Sequence, residues 1–370
     1  MKKVLFTATV DSHILHFHLP FLKYFKENGY EVHVATNGNE EIPYCDKKHY
    51  ITFERSPLKT NNLKAIKQLK KIIDEENFDL IHTHTPMGAV VTRLAARKAR
   101  KNGTRVIYTA HGFHFFKGAS IKHWAIFYPV EKFLARYTDT LITINMEDYE
   151  LAKSKFKKCK DINYVPGVGI DPEKFDLKIS DKEKKELRES LGLKDDDFVL
   201  IYTAELSKRK RQIWLINAVR DLLKRNNKIH LLLPGKDSLN GACHNLVKEF
   251  GLEEQIHLLG YRKDVPKLLR ISDIAVSSSS QEGLPVNIME AMYTGIPIVA
   301  SDCRGNRDLV KNNENGFVCG LDDVESFVAG IETLANDKEI YKAQGLKSKE
   351  MIKDYTLDKI MKDMKKIYNK

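Results

Sequence analysis

Two glutamates mark the stretch of this chain whose residue types best suit chemistry, the segment from Ser277 to Cys303. Glu282 precedes a predicted helix, and Glu290 lies inside it. Along a helix axis their separation in sequence would correspond to about 12 Å. Two carboxylates held that far apart can accept hydrogen bonds from hydroxyl groups at opposite ends of an extended ligand.

The predicted helix between these acids offers an anion site. Pro285 is expected at its first position and Gly295 just past its end, which is the usual asymmetry of helix termini. The N–H groups from about Val286 to Ile288 and the positive end of the helix dipole would bind a diphosphate. The arrangement suits a nucleotide-sugar. A surface Glu beside a helix with a solvent-facing Glu is the alternative for such a short pattern.

Histidines follow two of the predicted strands. His82 and His84 alternate at a strand end, so both face one side of the sheet. They could bind a metal, but no third ligand is near in sequence. Contacts within the loop or with a substrate are favoured. His111 ends the stretch Tyr108-Thr109-Ala110-His111-Gly112, where a sheet presents catalytic groups. A loop residue that only forms a hydrogen bond is the alternative for His111.

The predicted strands and helices alternate along the chain, which indicates parallel sheets with helices on both faces. Ligands of such sheets bind at the carboxyl ends of the strands. A length of 370 residues is enough for two domains, and the first is expected to end near Val165-Pro166-Gly167. No G-x-G-x-x-G motif follows the first strand, which argues against a dehydrogenase.

The composition favours anionic partners. The formal net charge is +11, and no nucleic-acid-binding motif accompanies it, so lipid and pyrophosphate are favoured over nucleic acid. Five cysteines without a C-x-x-C pair predict free thiols and no structural zinc site. No apolar run approaches the length of about 20 residues that a membrane span needs, and no signal peptide is recognised. We therefore expect a cytoplasmic protein.

The phrase EGLPVNIMEAMYTGIPIVASD resembles the donor-site signature of family 4 of the retaining glycosyltransferases. This resemblance implies the GT-B architecture, an α/β fold in which two Rossmann-like parallel-sheet domains face each other across a cleft. It implies an acceptor-binding domain over residues 1–170 and a nucleotide-sugar-binding domain over 171–350. A terminal helix within 351–370 is expected to cross back to the first domain.

The resemblance also implies roles for individual residues. The expected catalytic groups are His111, Glu282 and Lys210. The acceptor side is expected to include Asp11, His13 and His84. The donor is expected to contact Glu290 through its ribose, together with Gly283, Leu284, Pro285, Val286, Gly235, Tyr261, Arg262 and Arg209.

Two loops depart from the family pattern. In the phosphate-binding motif G-R-L-x-x-x-K-G, Lys210 matches the Lys, but Glu205 stands at the Arg and Arg211 at the final Gly. Arg209 or Arg211 could supply the second cation, and a solvated basic turn is the alternative for the whole cluster. The first loop carries Asp11-Ser12-His13 where many members have a Gly-Gly pair. No D-x-D motif lies near the site, so neither an essential metal nor a cofactor is expected.

The predicted activity is retaining transfer of a hexose from a UDP-sugar to a lipid-linked pyrophosphate saccharide or another saccharide. Relatives with this style of N-terminus build capsular polysaccharide or exopolysaccharide. One alternative is a GT-B sugar-nucleotide epimerase, which would release UDP without an acceptor. Another is a non-catalytic partner subunit, which only Glu205 favours.

Aromatic and basic residues are interleaved between Phe113 and Arg136. Such a segment suits the surface of an anionic membrane, here the inner face of the cell membrane. Lys117, Lys122 and Trp124 are its expected contacts. A buried amphipathic helix with a solvated basic edge is the alternative.

Overall fold

The computed structural model describes residues 1–57, 59–177 and 179–370. The chain divides into two compact units. The first contains Met1–Val168 together with Ile360–Lys370, and the second contains Gly169–Lys359. Each unit is built around its own parallel sheet.

The sheet of the first unit has, among the described residues, seven parallel strands in the order β3-β2-β1-β4-β5-β6-β7. Its central strands are buried on both faces, as expected of a sheet covered by helices on both sides. The strands are β1 (Lys3–Val10), β2 (Glu31–Asn37), β3 (Lys47–Tyr50), β4 (Leu80–Thr83), β5 (Arg105–Ala110), β6 (Thr140–Thr143) and β7 (Asp161–Tyr164).

The helices of this unit pack apolar residues onto the two faces of the sheet. They are α1 (Asp11–Phe17), α2 (Leu19–Glu27), α3 (Asn61–Glu76), α4 (Pro86–Ala95), α5 (Arg97–Lys101), α6 (Ile121–Leu134) and α7 (Met146–Lys155). A 3₁₀ turn, Ala135–Tyr137, extends α6. The core also includes Ile360, Met364, Ile367 and Tyr368 from near the end of the chain.

The second unit has a parallel sheet in the order β10-β9-β8-β11-β12-β13. Its elements are α8 (Pro172–Phe175), α9 (Asp181–Ser190), β8 (Phe198–Ile201), α10 (Gln212–Arg225), β9 (Ile229–Pro234), α11 (Ala242–Phe250), β10 (Ile256–Gly260), α12 (Val265–Arg270), β11 (Ile274–Ser277), α13 (Val286–Thr294), β12 (Ile298–Ser301), α14 (Asn306–Leu309), β13 (Gly316–Cys319), α15 (Val324–Asn336) and α16 (Lys338–Met351). A 3₁₀ turn, Ile352–Tyr355, precedes α17 (Leu357–Tyr368), most of which belongs to the first unit.

Both sheets reverse their strand order once. The reversal lies between β1 and β4 in the first unit and between β8 and β11 in the second. In open α/β sheets, ligands bind outside the carboxyl ends of the strands at such a switch point. The topology therefore directs attention to the loops that follow these four strands.

The segment after β1 differs from the expected polar turn. Asp11 begins α1 directly, and its carboxylate accepts hydrogen bonds from Thr36 Oγ1 at 2.5 Å, the Glu40 N–H at 2.9 Å and Lys48 Nζ at 2.8 Å. Burial would raise the pKa of Asp11, but the hydrogen bonds from Lys48 and Thr36 outweigh it and lower the pKa. A buried acid with these partners can begin a helix, whereas the sequence suggested only a turn.

Strands β3, β7 and β13 were not predicted from the sequence. In β3, Lys47-Lys48-His49-Tyr50 is too polar to show a strand pattern, and its pairing with β2 at the sheet edge decides its conformation. Ala96 separates α4 from α5. Among the described residues, no helix has both the length and the apolar character required to cross a bilayer.

Candidate functional site

An ion cluster in the second unit joins the two loops at its switch point. The carboxylate of Glu282, in the loop after β11, is buried. It accepts hydrogen bonds from Lys210 Nζ at 2.6 Å and Ser279 Oγ at 2.6 Å, and Arg209 lies 2.9 Å away as a second ion pair. Burial would raise the pKa of Glu282, but the charges of Lys210 and Arg209 outweigh this effect and hold it below its ordinary value.

Buried hydroxyl groups fix the backbone that carries Lys210. The Tyr202 hydroxyl donates to the carbonyl of Lys210 at 3.2 Å and lies 2.7 Å from Ser279 Oγ. Ser278 Oγ donates to the same carbonyl at 2.8 Å. Because these groups come from the ends of β8 and β11, the two strands set the position of the ammonium group. Such fixed cations are suited to stabilising negative charge on a ligand.

Arg304 and Gly305, which the sequence left without a role, support the Glu282 loop from behind. Arg304 is buried and donates from Nε to the carbonyl of Glu282 at 3.1 Å. Gly305 has φ of 83°, and a Cβ there would lie 2.6 Å from the carbonyl oxygen of Gly283. Only a glycine allows this close approach. Arg304 and Gly305 follow β12, whereas Glu282 follows β11. Their contact depends on the pairing of these two strands, so it could not be predicted from the sequence.

Helix α13 begins next to this cluster. Val286 is its first residue, so Pro285 occupies the N-cap and not the predicted first helical position, while Gly295 ends the helix with φ of 82°. Leu284 and Pro285 are buried. The side chain of Pro285 cannot accept a capping hydrogen bond from the first turn of the helix. The backbone N–H groups of the first turn are thus the donors that this helix offers to an anion.

Glu290, farther along α13, lines a pocket of about 560 Å³ within the second unit. Burial raises the pKa of this carboxyl to about 7, and the charge of Lys174 opposes the shift. Sequence reasoning missed the other residues of the pocket, which come from α8 and the chain just after it, and from the start of α12 and the chain just before it. They are Lys174, Phe175, Leu177, Lys263, Asp264, Val265, Pro266 and Lys267.

Tyr261 and Arg262 lie next to this pocket in sequence but do not line it. Tyr261 is exposed, and Lys236 Nζ lies 5.3 Å from the centre of its ring. Arg262 is held by Asp264, to which it donates two hydrogen bonds at 2.7 and 2.6 Å. The predicted contact of Tyr261 and Arg262 with the donor remains a prediction. The pocket is lined instead by the residues that come next in the chain, from Lys263 to Lys267.

Histidines converge at the switch point of the first unit. His84 follows β4, His111 follows β5, and His13 and His18 come from α1 and its end. Nδ1 of His84 lies 3.3 Å from Nε2 of His111. Burial lowers the pKa of His13 to about 4 and those of His18, His84 and His111 well below the ordinary value, with neighbouring imidazoles adding to the effect.

A separate pocket of about 450 Å³ lies beside these histidines. It is lined by His13 and by polar groups that include Ser12, His16, Arg55 and Thr85. The predicted acceptor residue Asp11 does not line it, because its carboxylate is turned to Thr36, Glu40 and Lys48. Of the predicted acceptor-side residues, His13 lines this pocket. His84 does not line it and is buried within the histidine cluster.

Comparison with known proteins decides the family. Residues 183–351 match the family described as Glycosyl transferases group 1, and residues 3–145 match the Glycosyl transferase 4-like family. The chain is 41% identical over 368 residues to the putative glycosyltransferase EpsD of Bacillus subtilis, covering 100% of this chain and 96% of that protein. The chain belongs to the GT4-type glycosyltransferases.

Two further proteins show how widely the likeness extends. This glycosyltransferase is 32% identical to the UDP-Gal:alpha-D-GlcNAc-diphosphoundecaprenol alpha-1,3-galactosyltransferase of Escherichia coli, over 75% of this chain and 71% of that one. The crystal structure of Anabaena HepE in complex with UDP and glucose matches with a TM-score of 0.81 at 20% identity, covering 100% of both chains. The predicted GT-B fold class, with two Rossmann-like parallel-sheet units, is confirmed.

The departures of this glycosyltransferase from the phosphate-binding motif have structural explanations. Arg211 adopts φ of 57°, the left-handed conformation that a glycine takes at least cost. Its guanidinium contacts Asp322 and donates to the carbonyl of Leu321 at 2.6 Å. Since Arg211 is held there and Arg209 pairs with Glu282, Arg209 is the candidate for the second cation.

Glu205 occupies the place where the motif has an arginine, yet its carboxylate accepts a hydrogen bond from Ser238. Gly235 lies beside this loop, and a Cβ there would be 1.8 Å from the carbonyl oxygen of Ala204. We expected Gly235 to admit a ligand. In the structure the backbone of Ala204 packs against Gly235 and leaves no room for a side chain. This contact is a sufficient reason for a glycine at the position, and no ligand is needed to explain it.

Proposed function

We propose that this glycosyltransferase moves a hexose from a UDP-sugar, with retention, to a lipid-linked pyrophosphate saccharide or another saccharide during surface polysaccharide synthesis. The observation that carries the proposal is the Lys210–Glu282–Arg209 cluster at the N-terminus of α13, with the Glu290 pocket in the same unit. Capsular polysaccharide and exopolysaccharide are the expected products. The name of the Escherichia coli relative, which includes UDP-Gal and a diphosphoundecaprenol acceptor, supports both substrate classes.

Each part of this cluster has a proposed role toward the donor. Glu282 accepts hydrogen bonds from sugar hydroxyls, and Glu290 accepts them from the ribose. Lys210, Arg209 and the first turn of α13 bind the diphosphate. During transfer the bond from the anomeric carbon to the diphosphate oxygen breaks and the acceptor hydroxyl bonds to that carbon. UDP leaves with the bonding electrons, and Lys210 stabilises the charge that develops on it. The acceptor hydroxyl gives its proton to the departing diphosphate oxygen.

The role of His111 at the reacting sugar remains a proposal based on family resemblance. The non-catalytic alternative depended on Glu205, whose carboxylate is engaged with Ser238. Glu205 remains the feature that favours this alternative, because a carboxylate at this position would repel the diphosphate of a donor.

UDP binding is expected to be independent of divalent cations. Protein groups supply the positive charge that a metal provides in other transferases: Lys210, Arg209 and the N-terminus of α13. Calorimetric titration with UDP should give affinities within about twofold of each other in EDTA and in excess Mg²⁺. Binding that appears only with Mg²⁺ or Mn²⁺ would contradict the proposed site.

The structure changes which residues could contact a membrane. Phe113 and Phe115 belong to the core, and Trp124 is half-buried, with Nε1 donating to the carbonyl of Phe116 at 3.2 Å. The ring of Trp124 packs partly inward, and its predicted contact with a membrane stays a prediction. The opposite face of α6 presents three apolar side chains to solvent, Ile126, Val130 and Phe133.

These three residues recur at intervals of four and three, so they share one face of α6. Ile126 is 54% exposed and Phe133 is 45% exposed. Lys122 and Arg136 are exposed on the same helix and its extension. Apolar side chains bordered by cations suit the interface of an anionic bilayer. We propose that the first unit binds the inner face of the cell membrane reversibly through this face of α6.

Vesicle flotation tests the membrane proposal. The protein should float with phosphatidylglycerol vesicles at low salt and dissociate at high salt. Ile126→Ser with Phe133→Ser should weaken binding at least about tenfold, since each buried CH₂ group contributes about 0.8 kcal/mol. Leu346→Ser, at a 62% exposed site in the second unit, is the matched control. Equal binding by the control and the double variant would show that α6 is not the membrane contact.

A further inference from the structure

The four histidines His13, His18, His84 and His111 come together although they are far apart in sequence. β4 and β5 are neighbours in the sheet, so His84 and His111 leave it side by side. The rings of His18 and His84 stack with centroids 3.7 Å apart, and those of His13 and His111 meet edge to face at 4.6 Å. One ring nitrogen of each residue lies within 4.8 Å of the corresponding nitrogens of the other three.

Several nitrogens of this cluster have no hydrogen-bond partner among the residues that the structure describes. They are Nε2 of His13, both ring nitrogens of His18 and Nε2 of His84. His18 is 1% exposed and His84 is 0% exposed. A buried polar group left without a partner costs about 1–3 kcal/mol, so a cluster of them calls for a ligand or another compensating group.

The neighbouring His82 shows what a structural histidine looks like in the same region. Its Nδ1 lies 2.9 Å from the Tyr368 hydroxyl, and its Nε2 lies 2.8 Å from Thr109 Oγ1. Both nitrogens are satisfied by the fold. Burial at this edge of the sheet therefore does not by itself leave imidazole nitrogens unpaired.

A second group of possible ligands, His33, His49 and Glu76, also differs from the cluster. Nδ1 of His33 lies 2.9 Å from Nε2 of His49, and its Nε2 lies 2.8 Å from Glu31. Glu76 is paired with Lys3 at 2.7 Å. These ligand atoms already have partners, so this group serves as a comparison for the four histidines.

We propose that His13, His18, His84 and His111 form a binding site for a divalent transition-metal ion of the borderline class, with Zn²⁺ as the reference ion. A tetrahedral zinc site with Zn–N bonds of about 2.0–2.1 Å has nitrogens about 3.4 Å apart. His84 Nδ1 and His111 Nε2 lie 3.3 Å apart, close to the length of that edge. They are hydrogen-bond partners of each other in the structure, and the ion would replace that bond. The remaining rings must rotate and approach by about an ångström. A ligand set of imidazoles selects against Mg²⁺ and Ca²⁺, which prefer oxygen.

An ion at this position would have two effects. It would tie α1 and the residue that follows it to the ends of β4 and β5, so binding would stabilise the fold. It would also place positive charge beside the pocket that contains Ser12 and Arg55. His111 would use Nε2 for the metal and keep Nδ1 for a hydrogen bond. The inference does not depend on the identity of the donor, but it would leave only Nδ1 of His111 for the contact with the reacting sugar that is proposed above.

Metal binding is tested on full-length, tag-free protein stripped with a chelator. Titration with Zn²⁺ should show one ion per chain with a Kd below about 1 μM, and the melting temperature should rise on addition of Zn²⁺. Substitution with Co²⁺ should produce the intense visible absorption of a four-coordinate nitrogen site. Absence of stoichiometric Zn²⁺, or a Co²⁺ spectrum typical of a six-coordinate aquo ion, would overturn the proposal.

Matched variants locate the ion. His18→Gln and His84→Gln should each lower Zn²⁺ affinity at least about tenfold and remove the thermal shift. The double variant His33→Gln, His49→Gln should retain both. The reverse pattern would place the ion in the comparison group and overturn the assignment. If the buried variants fail to fold, the Co²⁺ spectrum of the wild-type protein and His13→Gln, at the more accessible position, decide the matter.

Discussion

Replacing Lys210 by methionine is expected to reduce glycosyl transfer at least about 100-fold, which is the usual effect of removing one fixed charge from a transition-state site. The substitution removes the ammonium group that is proposed to bind the diphosphate, and it leaves Glu282 with Arg209 as its remaining ion-pair partner. The initial rate with UDP-sugar and acceptor measures the effect. Lys208→Met removes an exposed cation two positions away and should retain wild-type turnover.

A loss of stability must be separated from a loss of chemistry in this experiment. Breaking a buried ion pair by removing one partner costs about 3–5 kcal/mol. The double variant Lys210→Met, Glu282→Gln also removes the negative charge that has lost one of its two cationic partners, so it should recover part of the stability while remaining inactive. Turnover by a folded Lys210→Met protein within about threefold of the wild type would show that Lys210 does not act on the leaving group.

Glu290→Gln is expected to weaken UDP binding and to stabilise the free protein. A charged acceptor contributes about 1.5–3 kcal/mol for each hydrogen bond that it receives, so the affinity should fall about tenfold or more. Stability should change in the opposite direction, because a carboxyl whose pKa is raised to about 7 opposes folding when it is ionised. A residue with a purely structural role would not give this combination.

The pH dependence of stability follows from the direction of the Glu290 shift. The pKa is about 7 in the folded state against 4.5 as the reference value for the unfolded chain. Between these values the folded state holds more protons, so the free energy of unfolding falls as pH rises. This destabilisation is absent below the unfolded pKa and complete above the folded one. Glu290→Gln should therefore stabilise the protein above pH 7, by about 1–3 kcal/mol.

Ligand binding gives the matching profile. UDP affinity of the wild type should increase as pH rises through about 7, because the carboxylate is the better acceptor, and the Gln variant should lack this increase. Calorimetry across that range and urea unfolding without ligand measure the two quantities. Glu253→Gln, at an exposed site in the same unit, is the control. Unchanged UDP affinity in Glu290→Gln would show that Glu290 does not bind the ribose.

The sequence was sufficient for the features that depend on local pattern. Alternating strands and helices predicted the parallel sheets, and Gly295 marked the end of α13. Glu282 and Lys210 were both predicted at the donor site, but their direct ion pair was not. It depends on β8 and β11 being neighbours, and strand order is not written in local sequence.

Other features required tertiary information for the same reason. His18 follows α1 and has no motif of its own, yet it packs against His84, which comes 66 positions later in the chain. The pocket around Glu290 draws on α8, whose Lys174 and Phe175 lie far from the signature. Trp124 was predicted as a membrane contact because composition does not reveal which face of a helix packs inward.

Transfer of labelled sugar from UDP to a defined acceptor tests the central proposal most directly. Purified protein would be incubated with a panel of radiolabelled UDP-hexoses and a polyprenyl diphosphate saccharide, with the Lys210→Met protein as the control. We predict that label from one donor enters the lipid fraction in step with UDP release, and that the new linkage keeps the anomeric configuration of the donor. UDP release at the same rate without acceptor, with no label in lipid or saccharide, would contradict the proposal.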